Sequence, residues 1–254
     1  MPAGQSGTAP AYAIGDIHGH LDLLDRAHDL IAADRARHGL SAAPVIHIGD
    51  LVDRGPDSPG VISRLIEGRA RGENWVVLLG NHDRMFQNFL DVPDRRDPGL
   101  RPMFNWLHPR IGGAQTLAAY GVHAPADRPI APVHAEAVAQ VPAAHRAFLE
   151  GLPTHHELGG LLFVHAGIRP GVALTEQTET DLVWIRDVFL DHPDPHPWLV
   201  VHGHTAIDTP RHYGNRINID SSAAYGGPLS AVVIEEGAAY LLTERGREPL
   251  PGPE

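Results

Sequence analysis

The stretch VIHIGDLVDRG, residues 45–55, joins an apolar run to a Gly-Asp pair at the point where that run ends. The same order recurs on either side: Tyr12–Gly15 is followed by Asp16, and Trp75–Leu79 is followed by GNHD at 80–83. Each unit predicts a strand, a loop and then a helix or turn. Three such units in series predict a largely parallel sheet, with a ligand crevice beyond the carboxyl ends of its strands.

The second half of the chain carries further short apolar runs with strand-like composition. They predict strands at Leu161–Val164, Leu199–Val201, Arg216–Ile219, Leu229–Ile234 and Ala238–Thr243. We expect these strands to form a second, more antiparallel sheet that packs against the first. The predicted fold class is therefore α/β, with two packed mixed β-sheets flanked by helices.

The motifs are spread over most of the 254 residues, so they can meet only if the whole chain folds around one cleft. We therefore expect a single domain over residues 1–254. Residues 91–157 are rich in Pro, His and Ala and show helical periods, which predicts a helical insertion beside the cleft. Loose tails are expected at about 1–10 and 246–254.

Composition excludes several classes of function. The net charge of −11 and the absence of a Lys/Arg run argue against a nucleic-acid partner. The chain has no cysteine, which leaves His, Asp and Asn as metal ligands and favours hard or borderline ions. No apolar stretch is long enough to span a bilayer, and the N-terminus lacks a signal-peptide pattern, so we expect a soluble, cytoplasmic protein without a membrane partner.

Side chains that bind divalent metals are concentrated in the segments that follow the strands. The segments are GDIHG at 15–19, GDLVDRG at 49–55, GNHD at 80–83, VHAG at 164–167 and VHGHT at 201–205. A single Gly-Asp pair is more often just a turn, but five such segments together favour one shared site. Asp16 and His18 can bind one ion, Asp50 can bridge two, and the second ion is completed by Asn81, His165 and His204.

These motifs resemble the calcineurin-like metallophosphoesterases, and within them the bacterial and phage-type serine/threonine phosphatases of the phosphoprotein phosphatase branch. The GDLVDRG and GNHD blocks are the most specific part of the resemblance. The segment WLHPRIGGAQTLAAYG at 106–121, WIR at 184–186 and YGG at 225–227 are also similar to members of that branch. The resemblance implies a four-layer sandwich of two sheets flanked by helices.

The resemblance also implies residue roles. The metal ligands would be Asp16, His18, Asp50, Asn81, His165 and His204. Arg54 and Arg186, together with Asn81, would hold the phosphate oxygens, and His82 with Asp53 would form an acid pair. Guanidinium groups match phosphate oxygens in bidentate fashion, and a histidine oriented by a carboxylate can protonate a leaving oxygen. The plainer alternatives are surface ion pairs for the arginines and a structural role for His82.

One further histidine stays open. His202 alternates with His204, so it could bind metal, hydrogen-bond to a ligand or simply pack in the core, and we favour one of the last two roles. Thr205 and Ala206 follow His204, where phosphodiesterases of the superfamily often place a second histidine. This difference weakens a diesterase hypothesis.

The predicted function is a phosphomonoesterase that hydrolyses phosphoserine- and phosphothreonine-type esters by direct attack of a metal-bridging hydroxide. The cofactors would be two divalent ions, with manganese first and iron, zinc or magnesium as alternatives. The alternative enzyme is a symmetrical dinucleoside polyphosphate hydrolase, which cleaves diadenosine tetraphosphate. A catalytically silent metal-binding scaffold is the lesser alternative.

Overall fold

The computed structural model describes residues 9–252. The strands are β1 (Ala11–Ile14), β2 (Val45–His47), β3 (Trp75–Val77), β4 (His155–Leu158), β5 (Leu161–Val164), β6 (Leu199–His202), β7 (Arg211–His212), β8 (Arg216–Asn218), β9 (Ala231–Glu235), β10 (Ala238–Thr243) and β11 (Gly246–Pro249). The helices are α1 (Leu21–His38), α2 (Ser58–Ala70), α3 (Asn81–Asp91), α4 (Gly113–Ala119), α5 (Ile130–Gln140), α6 (Ala143–Glu150), α7 (Glu179–Trp184) and α8 (Asp187–Leu190).

The first sheet has the strand order β11-β10-β9-β1-β2-β3. As predicted, β1, β2 and β3 run parallel. Strand β9 pairs antiparallel with β1, so the expectation that 229–243 belongs to the second sheet is wrong. The apolar pattern shows that β9 is buried, but it carries no information about which strand lies beside it.

The second sheet has the order β4-β5-β6-β8-β7. Strands β5, β6 and β8 pair parallel, and β4 and β7 add antiparallel edges. A cluster of apolar side chains from both sheets, including Ile46, Phe163 and Val232, is buried between them. The predicted fold class of two packed mixed sheets with flanking helices is confirmed.

Helices α4, α5 and α6 lie within 91–157 and pack on α2 and α3. Leu117, Val133 and Leu149 from these helices belong to the same buried cluster as Ile62 and Phe86. The segment is therefore anchored to the helices that follow β2 and β3.

The chain end expected as a loose tail from 246 contains β11, which pairs with β10. Arg247 makes ion pairs with Asp34 of α1 and Glu235 of β9. The tail prediction is wrong for 246–249, because the carboxylates that hold Arg247 lie far away in the sequence. Residues 1–8 and 253–254 of the expected tails lie outside the described residues. Among the described helices, none is both long and apolar enough to cross a membrane.

A buried pair of histidines lies between α1 and β2. His47 Nδ1 donates to the carbonyl of Val76, and the Nε2 atoms of His28 and His47 are 2.9 Å apart. The His28 ring stacks on Trp75, and its Nδ1 is buried without a partner in the described structure. Burial lowers the pKa of His47 to about 4, and burial together with the neighbouring His47 lowers that of His28.

This pair predicts an acid-labile fold. Because the folded pKa values lie below those of the unfolded chain, the stabilisation is complete above about pH 6.5 and decreases as the unfolded state takes up protons. Each histidine contributes up to about 2 kcal/mol to the loss in free energy of unfolding at pH 5. In urea melts at pH 7 and pH 5, His28→Phe should reduce this loss, whereas exposed His123→Asn should not. An equal loss in wild type and His28→Phe would contradict the prediction.

Candidate active site

The candidate ligands lie where strands of both sheets end. Asp16 and His18 follow β1, Asp50 follows β2, and Asn81 begins α3 just after β3. From the second sheet, His165 follows β5 and His204 follows β6. The predicted crevice is therefore built from the ends of two sheets rather than one.

The loops that carry these side chains have unusual backbone geometry. His18, Asp50, Asp53, Arg54 and His204 all have positive φ, between 47° and 75°. Residues other than glycine rarely adopt this backbone conformation, because it costs free energy. Where they do adopt it, the position is often part of a functional site. Position 203 also requires glycine, because the backbone there lies so close to Asp16 that a Cβ would be 2.0 Å from Asp16 Oδ1.

Two groups of side chains place their ligand atoms within 4.8 Å of one another. One is His18, Asp50 and His82, and the other is Asp50, His165 and His204. Asp50 belongs to both: its Oδ2 lies 3.4 Å from His18 Nε2 and its Oδ1 lies 3.3 Å from His165 Nε2. Burial raises the pKa of the Asp50 carboxyl, whereas positive charge on the surrounding His165, His82 and His18 lowers it below its usual value.

The histidines present lone pairs to this space. His18 Nδ1 donates to the carbonyl of Val52 and His165 Nδ1 to that of Ile48, both at 2.9 Å. In a neutral ring, Nε2 is then the unprotonated atom. Burial lowers the pKa values of His18, His165 and His204, which favours the neutral rings that metals bind.

Three atoms lack the partners that their chemistry requires. His204 Nε2 is buried and makes no hydrogen bond in the described structure. Asn81 Oδ1 lies 2.9 Å from His165 Nε2, so with the amide in this orientation two acceptors face each other. A cation bound by these atoms would satisfy all three, and the residues therefore fit divalent metal binding.

Asp16 lies outside both groups, although it lines the same cleft. Its carboxylate accepts a hydrogen bond from the backbone N–H of His204, at 3.0 Å to Oδ2. Burial, with Asp220 and Asp50 nearby, raises the pKa of Asp16 well above its usual value. Burial also raises the pKa of Asp220 to about 6. A bound cation would favour the charged forms of both acids.

The predicted acid pair is present as a short hydrogen bond. His82 Nδ1 lies 2.6 Å from Asp53 Oδ2. Asp53 also accepts hydrogen bonds from Trp106 Nε1 at 2.8 Å and from the Thr116 hydroxyl at 2.7 Å. The motifs do not predict these two contacts, although both residues lie in the quoted 106–121 segment. That segment of the insertion therefore fixes the carboxylate that orients His82.

The arginines face the cleft without carboxylate partners. Within residues 9–252, Arg54 makes no ion pair; it donates to His18 Nε2 at 2.8 Å and to His82 Nε2 at 3.0 Å. Arg186 donates to the Thr205 hydroxyl at 3.0 Å and to the carbonyl of His204 at 3.3 Å. Both guanidinium groups thus lie beside candidate histidine ligands and keep their positive charge available for an anion.

His202 is separate from this arrangement. Its buried ring packs against Phe189, and its Nε2 lies 3.3 Å from Arg216 Nη1. Burial lowers its pKa to about 3. The side chain therefore packs in the core and is absent from both groups of candidate ligands.

The cleft has a volume of about 610 Å³. Its polar floor contains the candidate metal ligands, and its walls include Leu100, Phe104, Trp184 and the exposed Tyr225. The Tyr225 ring lies 5.2 Å from the Arg54 guanidinium carbon. A volume of this size accommodates a ligand much larger than a single phosphate group.

Residues 9–233 match the family of calcineurin-like phosphoesterases. The chain belongs to that family. The match confirms the family resemblance drawn from the motifs. The protein is therefore a metal-dependent phosphoester hydrolase, and its fold implies divalent metal ions.

Similar proteins carry the names of nucleotide hydrolases. The chain is 25% identical, over 93% of its length and 94% of the relative, to the asymmetrical bis(5'-nucleosyl)-tetraphosphatase PrpE of Halalkalibacterium halodurans. It is 32% identical to the symmetrical bis(5'-nucleosyl)-tetraphosphatase of Acidovorax sp., over 63% of this chain and 44% of that protein. A crystal structure provisionally named a diadenosine tetraphosphatase shares the fold, with TM-score 0.60, 23% identity and coverage of 92% and 93%.

These relatives overturn the predicted substrate. The hydrolysis of phosphoserine- and phosphothreonine-type esters, expected from the DRG and GNHD motifs, is wrong as the leading function, and a protein substrate is not supported. The motifs contain candidate ligands for metals and for one phosphoryl group, and both kinds of substrate share that group. They therefore do not distinguish a phosphoprotein from a dinucleoside polyphosphate.

Proposed function

We propose that this protein hydrolyses dinucleoside polyphosphates of the diadenosine tetraphosphate type. The observation that carries the proposal is the 610 Å³ cleft, which joins two histidine–carboxylate groups to unpaired arginines and apolar walls. A polyphosphate with a nucleoside at each end needs a site that is cationic at the reacting phosphate and large beyond it. The names of the relatives support the same substrate class.

The site would hold two divalent ions. Asp16, His18 and Asp50 would bind the first, and the second would be bound by Asp50, Asn81, His165 and His204. We propose manganese, because nitrogen and oxygen ligands without thiolates suit it. When bound, the ions neutralise phosphoryl charge and lower the pKa of a water molecule.

Arg54 and Arg186 would bind the oxygens of the reacting phosphate, with Asn81 beside them. In the structure, both terminal nitrogens of Arg54 donate to histidine lone pairs. An incoming phosphate offers better acceptors, since charge-assisted bonds to phosphate are stronger than bonds to neutral imidazole. Binding would therefore turn Arg54 away from His82 and free Nε2 of that ring.

His82 would then act on the leaving group. Asp53, held by Trp106 and Thr116, fixes the ring through Nδ1, so that Nε2 faces the cleft. A proton carried on Nε2 can pass to the oxygen of the departing nucleotide. The structural alternative, in which the ring serves only to hold Asp53, predicts no dependence on the leaving group.

The test is product analysis after incubation with diadenosine tetraphosphate and manganese. The relative matched over nine-tenths of both chains is named asymmetrical, so we expect ATP and AMP; two molecules of ADP would indicate symmetrical cleavage by the same activity. Addition of EDTA should abolish turnover. No nucleotide cleavage by a preparation that hydrolyses p-nitrophenyl phosphate would overturn the proposed function, and turnover of a phosphopeptide alone would restore the hypothesis that the relatives contradict.

A further inference from the structure

A third arginine lines the cleft, and none of the quoted motifs contains it. Arg101 lies between α3 and α4, is exposed to solvent and shares the cleft with Asp50, Arg54 and Arg186. Within residues 9–252 its guanidinium group makes no hydrogen bond, ion pair or ring contact. Arg101 therefore presents an uncompensated positive charge to the same space as the candidate metal ligands.

The backbone around Arg101 is held in place. Arg96 donates to the carbonyl of Arg101 at 3.0 Å and to that of Phe104 at 3.2 Å. Just before this turn, Asp97 is buried and accepts two hydrogen bonds of 2.7 Å from Arg84. Arg84 belongs to α3, the helix that begins with Asn81 and His82. The hydrogen bonds donated by Arg96 and Arg84 thus fix the backbone of Arg101 relative to α3 and the candidate metal ligands.

The charges in the cleft are arranged in two zones. The carboxylates of Asp16, Asp50 and Asp220 lie on the buried floor, where the metals would neutralise them. Arg101 lies on an exposed segment of the wall, where the structure shows no carboxylate bound to it. An anion that extends from the floor to the wall would satisfy both zones, whereas a phosphate monoester with a neutral leaving group would satisfy only the floor.

We propose that Arg101 binds phosphate groups of the substrate other than the one that is hydrolysed. Arg101 thereby favours nucleoside polyphosphates over simple phosphate monoesters. Guanidinium groups suit this task, because they bind phosphate oxygens in bidentate fashion and stay charged at any working pH. The proposal rests on the proposed function and assigns a specificity-determining residue to its site.

The direct test compares Arg101→Gln, Arg101→Lys and the matched control Arg110→Gln. Arg110 is exposed on the same segment and does not line the cleft. For Arg101→Gln we expect KM for diadenosine tetraphosphate to rise about tenfold, the size of one charge-assisted contact, with a much smaller change in kcat. The ratio of kcat/KM for the tetraphosphate to that for p-nitrophenyl phosphate should fall by the same factor. Arg101→Lys should recover part of the loss, and Arg110→Gln should leave the ratio unchanged.

A second measurement separates this proposal from the proposed function. Inorganic tripolyphosphate should inhibit hydrolysis of p-nitrophenyl phosphate, and its inhibition constant should rise about tenfold in Arg101→Gln. If wild-type protein does not cleave diadenosine tetraphosphate, the proposed function fails, and the tripolyphosphate experiment still decides the role of Arg101. An unchanged inhibition constant in Arg101→Gln, or equal losses for the tetraphosphate and the monoester, would overturn the role of Arg101.

Discussion

The Asp50→Asn variant is expected to lose most of its bound divalent metal and at least about 10³-fold in kcat/KM. Asp50 is the residue shared by both histidine–carboxylate groups, and each of its oxygens faces a different histidine. Replacing one carboxylate oxygen by an NH₂ group removes the negative charge of the side chain. The new N–H donor also faces an imidazole lone pair that would otherwise bind metal. One substitution would therefore weaken the binding of both ions.

Metal content is measured by elemental analysis after reconstitution with manganese, in parallel with turnover. The control is Asp94→Asn, an exposed aspartate outside the candidate ligand set. Because Asp50 is buried, circular dichroism and thermal melts must show that the variant is folded. Full metal stoichiometry in a folded variant would show that Asp50 is not a shared ligand.

The His82→Asn variant should lose about 10²–10⁴-fold in kcat for a substrate that leaves as an alkoxide. The loss should be much smaller for p-nitrophenyl phosphate, because nitrophenolate needs little protonation. A dinucleoside polyphosphate should behave like p-nitrophenyl phosphate, since its leaving phosphate oxygen is weakly basic and also needs little protonation. His82 can donate the proton because Asp53 holds its Nδ1 at 2.6 Å, which leaves Nε2 as the atom that faces the cleft.

The measurement is kcat for a series of leaving groups of rising basicity. The matched control is His123→Asn, which replaces an exposed histidine on the insertion. Metal content should stay close to that of wild type, which separates an acid role from a ligand role, since His82 also belongs to one of the two groups. Equal losses for all leaving groups would count against proton donation by His82.

The motifs do not specify the substrate, for a physical reason. Asp50, Asn81 and Arg54 are proposed to bind the reacting phosphoryl group and its metals, and the same residues would serve a phosphoprotein or a nucleotide. The two kinds of substrate differ beyond this group, in the part of the cleft that residues such as Arg101 and Tyr225 line. Arg101 lies outside any strand or ligand pattern. Tyr225 belongs to the YGG segment, whose role the sequence leaves undefined.

The candidate acid pair also combines a predicted contact with contacts that only tertiary packing decides. The pairing of His82 with Asp53 is implied by the family resemblance, and the structure brings their side chains together. The two groups that hold Asp53, from Trp106 and Thr116, lie more than fifty residues further along the chain. A local pattern cannot predict such contacts, because they depend on how α4 packs against α2.

By itself, the sequence determined the strands β1, β2 and β3, their parallel order and the side chains that follow them. These are local properties: an apolar run reports burial, and the residue after it reports where the strand meets the crevice. Only the tertiary structure decided that β9 joins the first sheet and that Arg247 anchors β11. Those contacts join residues far apart in sequence, and they are selected by packing and charge in three dimensions, which the linear order of residues does not contain.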